Sequence, residues 1–192
     1  MTTVLVNGLP GAGKTTLARA LAQELGLPLF SKDAVKETLA DTLGLRPPPG
    51  STARGWSSAL GRAAAETLWT LLGDAAGGAV LESPWLGDTR PFVVAGLARA
   101  GAQDVQEVWC DVPPHIARHR WAARAAHRHP VHLDDLRDSD DLRDSDERWD
   151  AWSRTAEPLA LGTVHRVDAT RPVDAALLAR RIRAAAGGDR PG

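Results

Sequence analysis

The residues with the clearest chemical content are Gly8-Leu9-Pro10-Gly11-Ala12-Gly13-Lys14-Thr15, which satisfy the spacing Gly-x4-Gly-Lys-Ser/Thr in full. Gly8, Gly11 and Gly13 let the backbone curl so that successive N–H groups, those of Pro10's neighbours and Ala12 included, face one concavity. A helix opening behind the loop adds its N-terminal dipole and unpaired N–H groups. Lys14 would reach a β- or γ-phosphate as a point charge, and the Thr15 hydroxyl, followed by Thr16, would ligate Mg²⁺. A nucleoside triphosphate is the ligand that uses all of these at once. ATP and GTP both fit.

Other candidates lie where strands are expected to end. Asp33 follows a short apolar run, and a carboxylate there would orient an attacking hydroxyl and take its proton. The alternative is that Asp33, or Ser31, caps the next helix. Lys32 would hold an anionic group of a substrate, or stand solvated. Glu82 closes Ala79-Val80-Leu81-Glu82 and is placed to hold Mg²⁺ directly or through water, or to meet the substrate; capping competes. Trp85 would wall an acceptor site, although core packing is the default for a tryptophan. Arg120, Arg124 and Arg128 recur every fourth residue and so line one helical face. Guanidinium forks there suit a transferring phosphoryl group, or pair with the acidic stretch 134–146. His127, His129 and His132 follow, but their spacing matches no common zinc pattern, which favours local hydrogen bonding.

These residues need elements to hold them. Apolar runs predict strands at 3–7, 27–31, 79–83, 105–110 and 163–167. Amphipathic stretches predict helices at 15–25, 33–43, 56–72, 91–100, 113–127 and 172–186, with Gly26 and Gly44 as stops. Asp111 and Thr170 are the expected caps of the last two. Pro47-Pro48-Pro49-Gly50 predicts a loop over 46–55, which with 83–90 would shape an acceptor pocket using Arg54 and Trp56. The alternation predicts an α/β three-layer sandwich with a five-stranded parallel sheet, its ligands beyond the carboxyl ends of the strands. One domain over 1–187 is expected, with 188–192 frayed. The six residues Asp135–Asp140 are repeated at once as Asp141–Asp146, a duplication expected in a solvated loop.

The 192 residues carry a formal net charge of −1, which argues against a nucleic-acid binder held by bulk charge. Only three of the 23 basic residues are lysines, so Lys14, Lys32 and Lys36 stand out in an arginine-rich chain. The single cysteine, Cys110, excludes an internal disulfide and fits a reducing cytoplasm. No apolar run is long enough to span a membrane. The start, Met1–Asn7, lacks the basic region of a secretory leader.

Gly8–Thr16, Ser31-Lys32-Asp33, the arginine series leading to Arg128-His129-Pro130, and Val167–Asp174 together resemble the small P-loop kinases, a group that includes polynucleotide kinase-like, gluconate kinase-like and chloramphenicol phosphotransferase-like proteins. The resemblance implies ATP and Mg²⁺ as cofactors and Asp33 as the base. It implies a helical lid over about 118–148 with Arg120 and Arg124 on the triphosphate, and Arg171 and Pro172 beside the adenine. Transfer to a small hydroxylated acceptor is the expected activity. A polynucleotide 5′-hydroxyl kinase and a non-catalytic nucleotide-dependent regulatory module are the alternatives. Neither the acceptor nor the oligomeric state is legible from these residues.

Overall fold

The fold was analysed in a computed structural model, which describes residues 1–132, 147 and 149–187. The tandem repeat at 135–146, the distal part of the expected lid and the expected frayed end at 188–192 lie outside the described residues.

Five parallel strands form one sheet: β1 (Thr2–Asn7), β2 (Leu29–Ser31), β3 (Gly78–Glu82), β4 (Asp104–Asp111) and β5 (Thr163–Asp168), in the order β2-β3-β1-β4-β5. The expected three-layer α/β architecture is borne out. Side chains alternate along each strand, so a sheet buried on both faces needs apolar residues at every position. Val4, Val6, Val80, Val108 and Cys110 face one core with α1 (Lys14–Leu25) and the C-terminal helix α6 (Ala175–Gly187). Leu5, Ala79, Leu81 and Val105 face the other, with α3 (Ala53–Asp74) and α4 (Arg90–Arg99).

Two helices stand near the strand ends. α2 (Lys32–Leu43) begins directly after β2, and α5 (Pro114–Arg124) follows β4. Short 3-10 turns continue α5 at Ala125–His127 and Pro130–His132, and residues 149–154 are again helical where described.

Several boundaries differ from expectation for local reasons. α3 starts at Ala53, because Thr52 Oγ1 accepts from Gly55 N at 3.0 Å and caps it. Arg54 therefore lies in the first turn of α3, not in a loop, and Trp56, expected to open the helix, stands just inside it. Asp111 does not cap α5; it ends β4 and pairs with Arg166 at 3.2 Å. Thr170 does not cap α6 either. Asp174 does, its Oδ1 accepting from Leu177 N at 2.8 Å, while Thr170 N bonds back to Asp168 Oδ1 at 3.0 Å.

Candidate active site

Residues 8–13 leave β1 and turn into α1. Gly8 (φ 144°) passes so close to β4 that a Cβ would meet the Cys110 carbonyl oxygen at 2.9 Å. Gly11 (φ 86°) is tighter still: a Cβ would stand 2.1 Å from the Ala117 carbonyl oxygen of α5. Glycine at these two positions is a steric requirement. The loop is held from below by Asn7, whose Oδ1 accepts from Gly8 N at 2.7 Å. Gly13 forms the N-cap of α1 in the left-handed region and offers no side-chain cap. The first N–H groups of α1 therefore lack an intrahelical partner and open toward the loop.

Lys14 is only 7% exposed, and its Nζ donates to the Leu9 carbonyl at 2.9 Å. Burial holds its pKa below the ordinary lysine value; the carboxylates of Glu82 and Asp33 push it back up, and Arg124 adds to the depression. Glu82, Asp33 and Arg124 thus each act electrostatically on Lys14. Glu82 is buried at the end of β3, in register with Ser31, whose hydroxyl donates to Glu82 Oε2 at 2.6 Å. Asp33 sits in the first turn of α2 beside half-buried Lys32, and Arg128 Nη2 stands 3.4 Å from its Oδ2. Ser31 is the residue before the helix but makes no side-chain cap; its hydroxyl is used by Glu82.

The arginines divide. Arg120 donates to the carbonyls of Ala169 and Thr170 at 2.9 and 2.8 Å, so its fork lies on the loop after β5 that carries Arg171 and Pro172. Arg171 is exposed and pairs with Asp168 at 3.1 Å. Arg124 stays on the Lys14 side, its Nε bonded to the Arg120 carbonyl at 3.3 Å. Thr15 is half-buried and Thr16 exposed on the first turn of α1. Cys110, under the loop, is pushed up to about 12 by burial and remains a thiol.

Two acceptor-site expectations need correction. Trp85 is 4% exposed and stacked on Trp69 with ring centroids 6.0 Å apart; it is a core residue and walls no open site. Trp56 donates its indole N–H to the Gly44 carbonyl at 3.0 Å and packs beside Ala40 and Leu60, so it fastens α3 to the end of α2. Arg54 is exposed on the first turn of α3. The histidines form no zinc site: among the described residues no group of three His, Cys, Asp or Glu is arranged to hold a metal.

Sequence reasoning missed a buried network behind the loop. Asn7 Nδ2 donates to the Trp85 carbonyl at 2.6 Å and to Glu107 Oε1 at 2.9 Å. Glu107 also accepts from Leu159 N and Ala160 N at 2.9 and 2.8 Å. Polar residues inside strands expected to be buried on both faces, Asn7 and Glu107, were the signal that could have found it.

A family model described as an AAA domain matches residues 4–159, a span that holds the phosphate loop, Asp33, Glu82 and the α5 arginines. The chain belongs to this family. It is also similar over its length to a candidate kinase from Chloroflexus aurantiacus j-10-fl, with 31% identity, 96% of this chain and 97% of that one covered, and a TM-score of 0.74. A gluconokinase from Sinorhizobium meliloti 1021 shares the fold at 18% identity, with 96% and 91% covered and a TM-score of 0.52. A cytidylate kinase of Ignicoccus hospitalis is 47% identical over 45 residues, which are 23% of this chain and 26% of that protein. The chain thus spans about a quarter of the curated relatives it matches. The resemblance to small P-loop kinases read from the sequence is borne out.

Proposed function

We propose that this AAA-family protein is an ATP- and Mg²⁺-dependent kinase that moves the γ-phosphoryl group to a hydroxyl of a small molecule. The observation that carries the reading is the uncapped start of α1 behind a glycine loop, with Lys14, Glu82, Asp33 and Arg124 gathered around it. Free amides and one buried ammonium fit a polyphosphate. The buried carboxylate of Glu82, within electrostatic reach of Lys14, fits a hard divalent cation.

The amides of Gly11, Gly13, Lys14 and Thr15, with that of Thr16, bind the triphosphate. Those of Gly8 and Ala12 hold the loop itself through Asn7 Oδ1 and the Leu9 carbonyl, and Lys14 exchanges its contact with the Leu9 carbonyl for phosphate oxygens. Thr15 and Glu82 would hold Mg²⁺, which supplies charge neutralisation at the phosphate oxygens. Arg120 fixes the loop of Arg171 and Pro172 against the nucleotide base. Arg124 meets the charge that spreads over the transferring group. Asp33 orients the acceptor hydroxyl and takes its proton, with Lys32, Arg54 and Arg128 around the acceptor. Residues 1–187 act as one domain whose lid, about 118–148, excludes water as a competing acceptor. No helix among the described residues is long and apolar enough to cross a membrane; a cytoplasmic site of action fits this and the lone cysteine.

The test is MgATP turnover with and without a panel of sugars, hydroxylated antibiotics and nucleosides. Cytidine monophosphate belongs in the panel because of the local match to cytidylate kinases. A hydroxyl compound should raise turnover well above the rate with water. If only the monophosphate does so, the acceptor is a phosphate and the hydroxyl assignment fails; if nothing does, the transferase reading fails.

A further inference from the structure

His129 and His132 have no part in the transfer just described, yet both are firmly seated beside it. Asp33, Glu37 and Asp41 recur every fourth residue on α2 and share one face of that helix. The segment 128–132 lies along this face. Arg128 Nη2 is 3.4 Å from Asp33 Oδ2, His132 Nε2 is 2.8 Å from Glu37 Oε1, and His129 Nε2 is 3.0 Å from Asp41 Oδ1. Val131 N donates to His129 Nδ1 at 3.1 Å, so the neutral ring carries its proton on Nε2 and donates to Asp41. The Val131 side chain is buried with Ala40 and Leu60. Its carbonyl accepts from Ser57 Oγ at 2.7 Å, and that hydroxyl accepts from Lys36 Nζ at 2.8 Å.

α2 contributes a single buried residue, Ala40. Val35 and Leu39 pack half-buried against two apolar clusters, while the acidic face of Asp33, Glu37 and Asp41 is held by polar partners alone. The Asp33 side chain is 43% exposed, so its core contacts do not set its rotamer.

We propose that 128–132 is a strap that fixes the first turn of α2, with His129 and His132 as positioning residues that bring Arg128 onto the Asp33 carboxylate. This rests on the reading of Asp33 as the group that meets the acceptor. Without the strap Asp33 samples other rotamers, and a misplacement of about 1 Å at a reacting group costs on the order of 10²-fold in rate. Burial also keeps the pKa of His132 below its ordinary value, Arg128 and Lys36 lowering it further while Asp33 and Glu37 oppose them; His132 docks as a neutral donor.

Two measurements on the full chain test this. In ¹⁵N spectra of the arginine side chains, the Arg128 Nη resonances should shift in Asp33→Asn, which removes the charged partner of Nη2, and shift equally in His132→Ala and His129→Ala. His132→Gln, which keeps a donor for Glu37, should restore them. In MgATP hydrolysis with water as acceptor, His132→Ala and Arg128→Ala should each lower kcat about tenfold with KM for ATP unchanged, and the double variant should fall no further. The strap is overturned if the Arg128 resonances respond to Asp33→Asn but to neither histidine change. Its catalytic consequence is overturned if the losses in the double variant multiply or if His132→Ala turns over at the full rate. If His132→Ala does not fold, His129→Ala, on the more exposed rung, decides the question by the same two readouts. If the wild-type chain does not hydrolyse MgATP with water as acceptor, the kinase reading stands or falls on the acceptor panel and the spectral result decides the strap.

Discussion

Lys14 shows at the scale of one residue how function and stability pull apart. An ammonium at 7% exposure is held below its ordinary pKa by burial, so the folded chain is strained by carrying the charge there. Its hydrogen bond to the Leu9 carbonyl only partly offsets that cost. Lys14→Met keeps most of the volume and removes the charge. It should raise the melting temperature slightly in the absence of nucleotide, yet lower kcat/KM by roughly 10²- to 10³-fold, the usual loss for one preorganised donor at a developing charge. Asp33→Asn should do the reverse in binding terms. It leaves ATP affinity close to wild type and lowers transfer by roughly 10²- to 10⁴-fold, the range for general base catalysis. Calorimetric titration with ATP, beside steady-state rates, separates the two. A Lys14→Met protein that melts lower than wild type would contradict the account of a burial-strained ammonium. Both residues were legible in the sequence because each follows a strand end at a fixed offset.

Elements were legible to a similar degree and failed in an instructive way. β1 and β3 carry the continuous apolar runs Val4–Val6 and Ala79–Leu81 that a sheet covered on both faces requires, whereas β4 interrupts its run with Gln106 and Glu107 and the edge strand β5 alternates. The boundaries that slipped were those set by capping chemistry. Thr52 starts α3 inside what the three prolines and Gly50 mark as loop, and Asp174 displaces Thr170 at α6. The side-chain contacts of Arg128, His129 and His132 with α2 join residues 88 or 95 positions apart, which no local pattern reports. The same holds for the network that ties β1 to β4 and to residues 159–160. Glu107 is fully buried and accepts from Asn7 Nδ2, Leu159 N and Ala160 N. Each buried donor left without an acceptor costs about 1–3 kcal/mol. Glu107→Ala strands three, so unfolding in urea should show a loss of at least about 3 kcal/mol. Glu107→Gln keeps the volume, but Oε1 serves two donors and Oε2 one, so either orientation of the amide sets an N–H against an N–H. It should be destabilised too, by less than the alanine variant. A glutamine variant as stable as wild type would mean that the network does not hold the loop in solution.

The whole molecule answers to pH through two histidines, one against α2 and one within β5. His132, against α2, and His165, on β5, both have pKa values lowered chiefly by burial. Arg128 and then Lys36 lower His132 further while Asp33 and Glu37 raise it; Arg181 lowers His165, whose Nε2 stands 2.9 Å from Gln106 Oε1. The folded chain therefore binds these two protons less readily than the unfolded chain, where histidine titrates near about 6.5. Above about pH 7 both states are neutral and the two groups contribute nothing to the pH dependence. As pH falls through about 6.5 the unfolded chain takes up the protons first, and stability declines until the folded-state values are reached. Urea midpoints taken between about pH 7.5 and pH 5.5, above the range where carboxylates dominate, should fall steadily toward acid. The double variant His132→Gln, His165→Gln should flatten that slope while remaining able to donate to Glu37. The strap is the part that would release first, because its short 3-10 segment is held to α2 by polar contacts of Arg128, His129 and His132, whereas His165 lies within the hydrogen-bonded sheet. Loss of MgATP hydrolysis should therefore precede global unfolding on the acid side. If activity and the urea midpoint instead decline together, the two histidines act only through the fold and not through the position of Asp33.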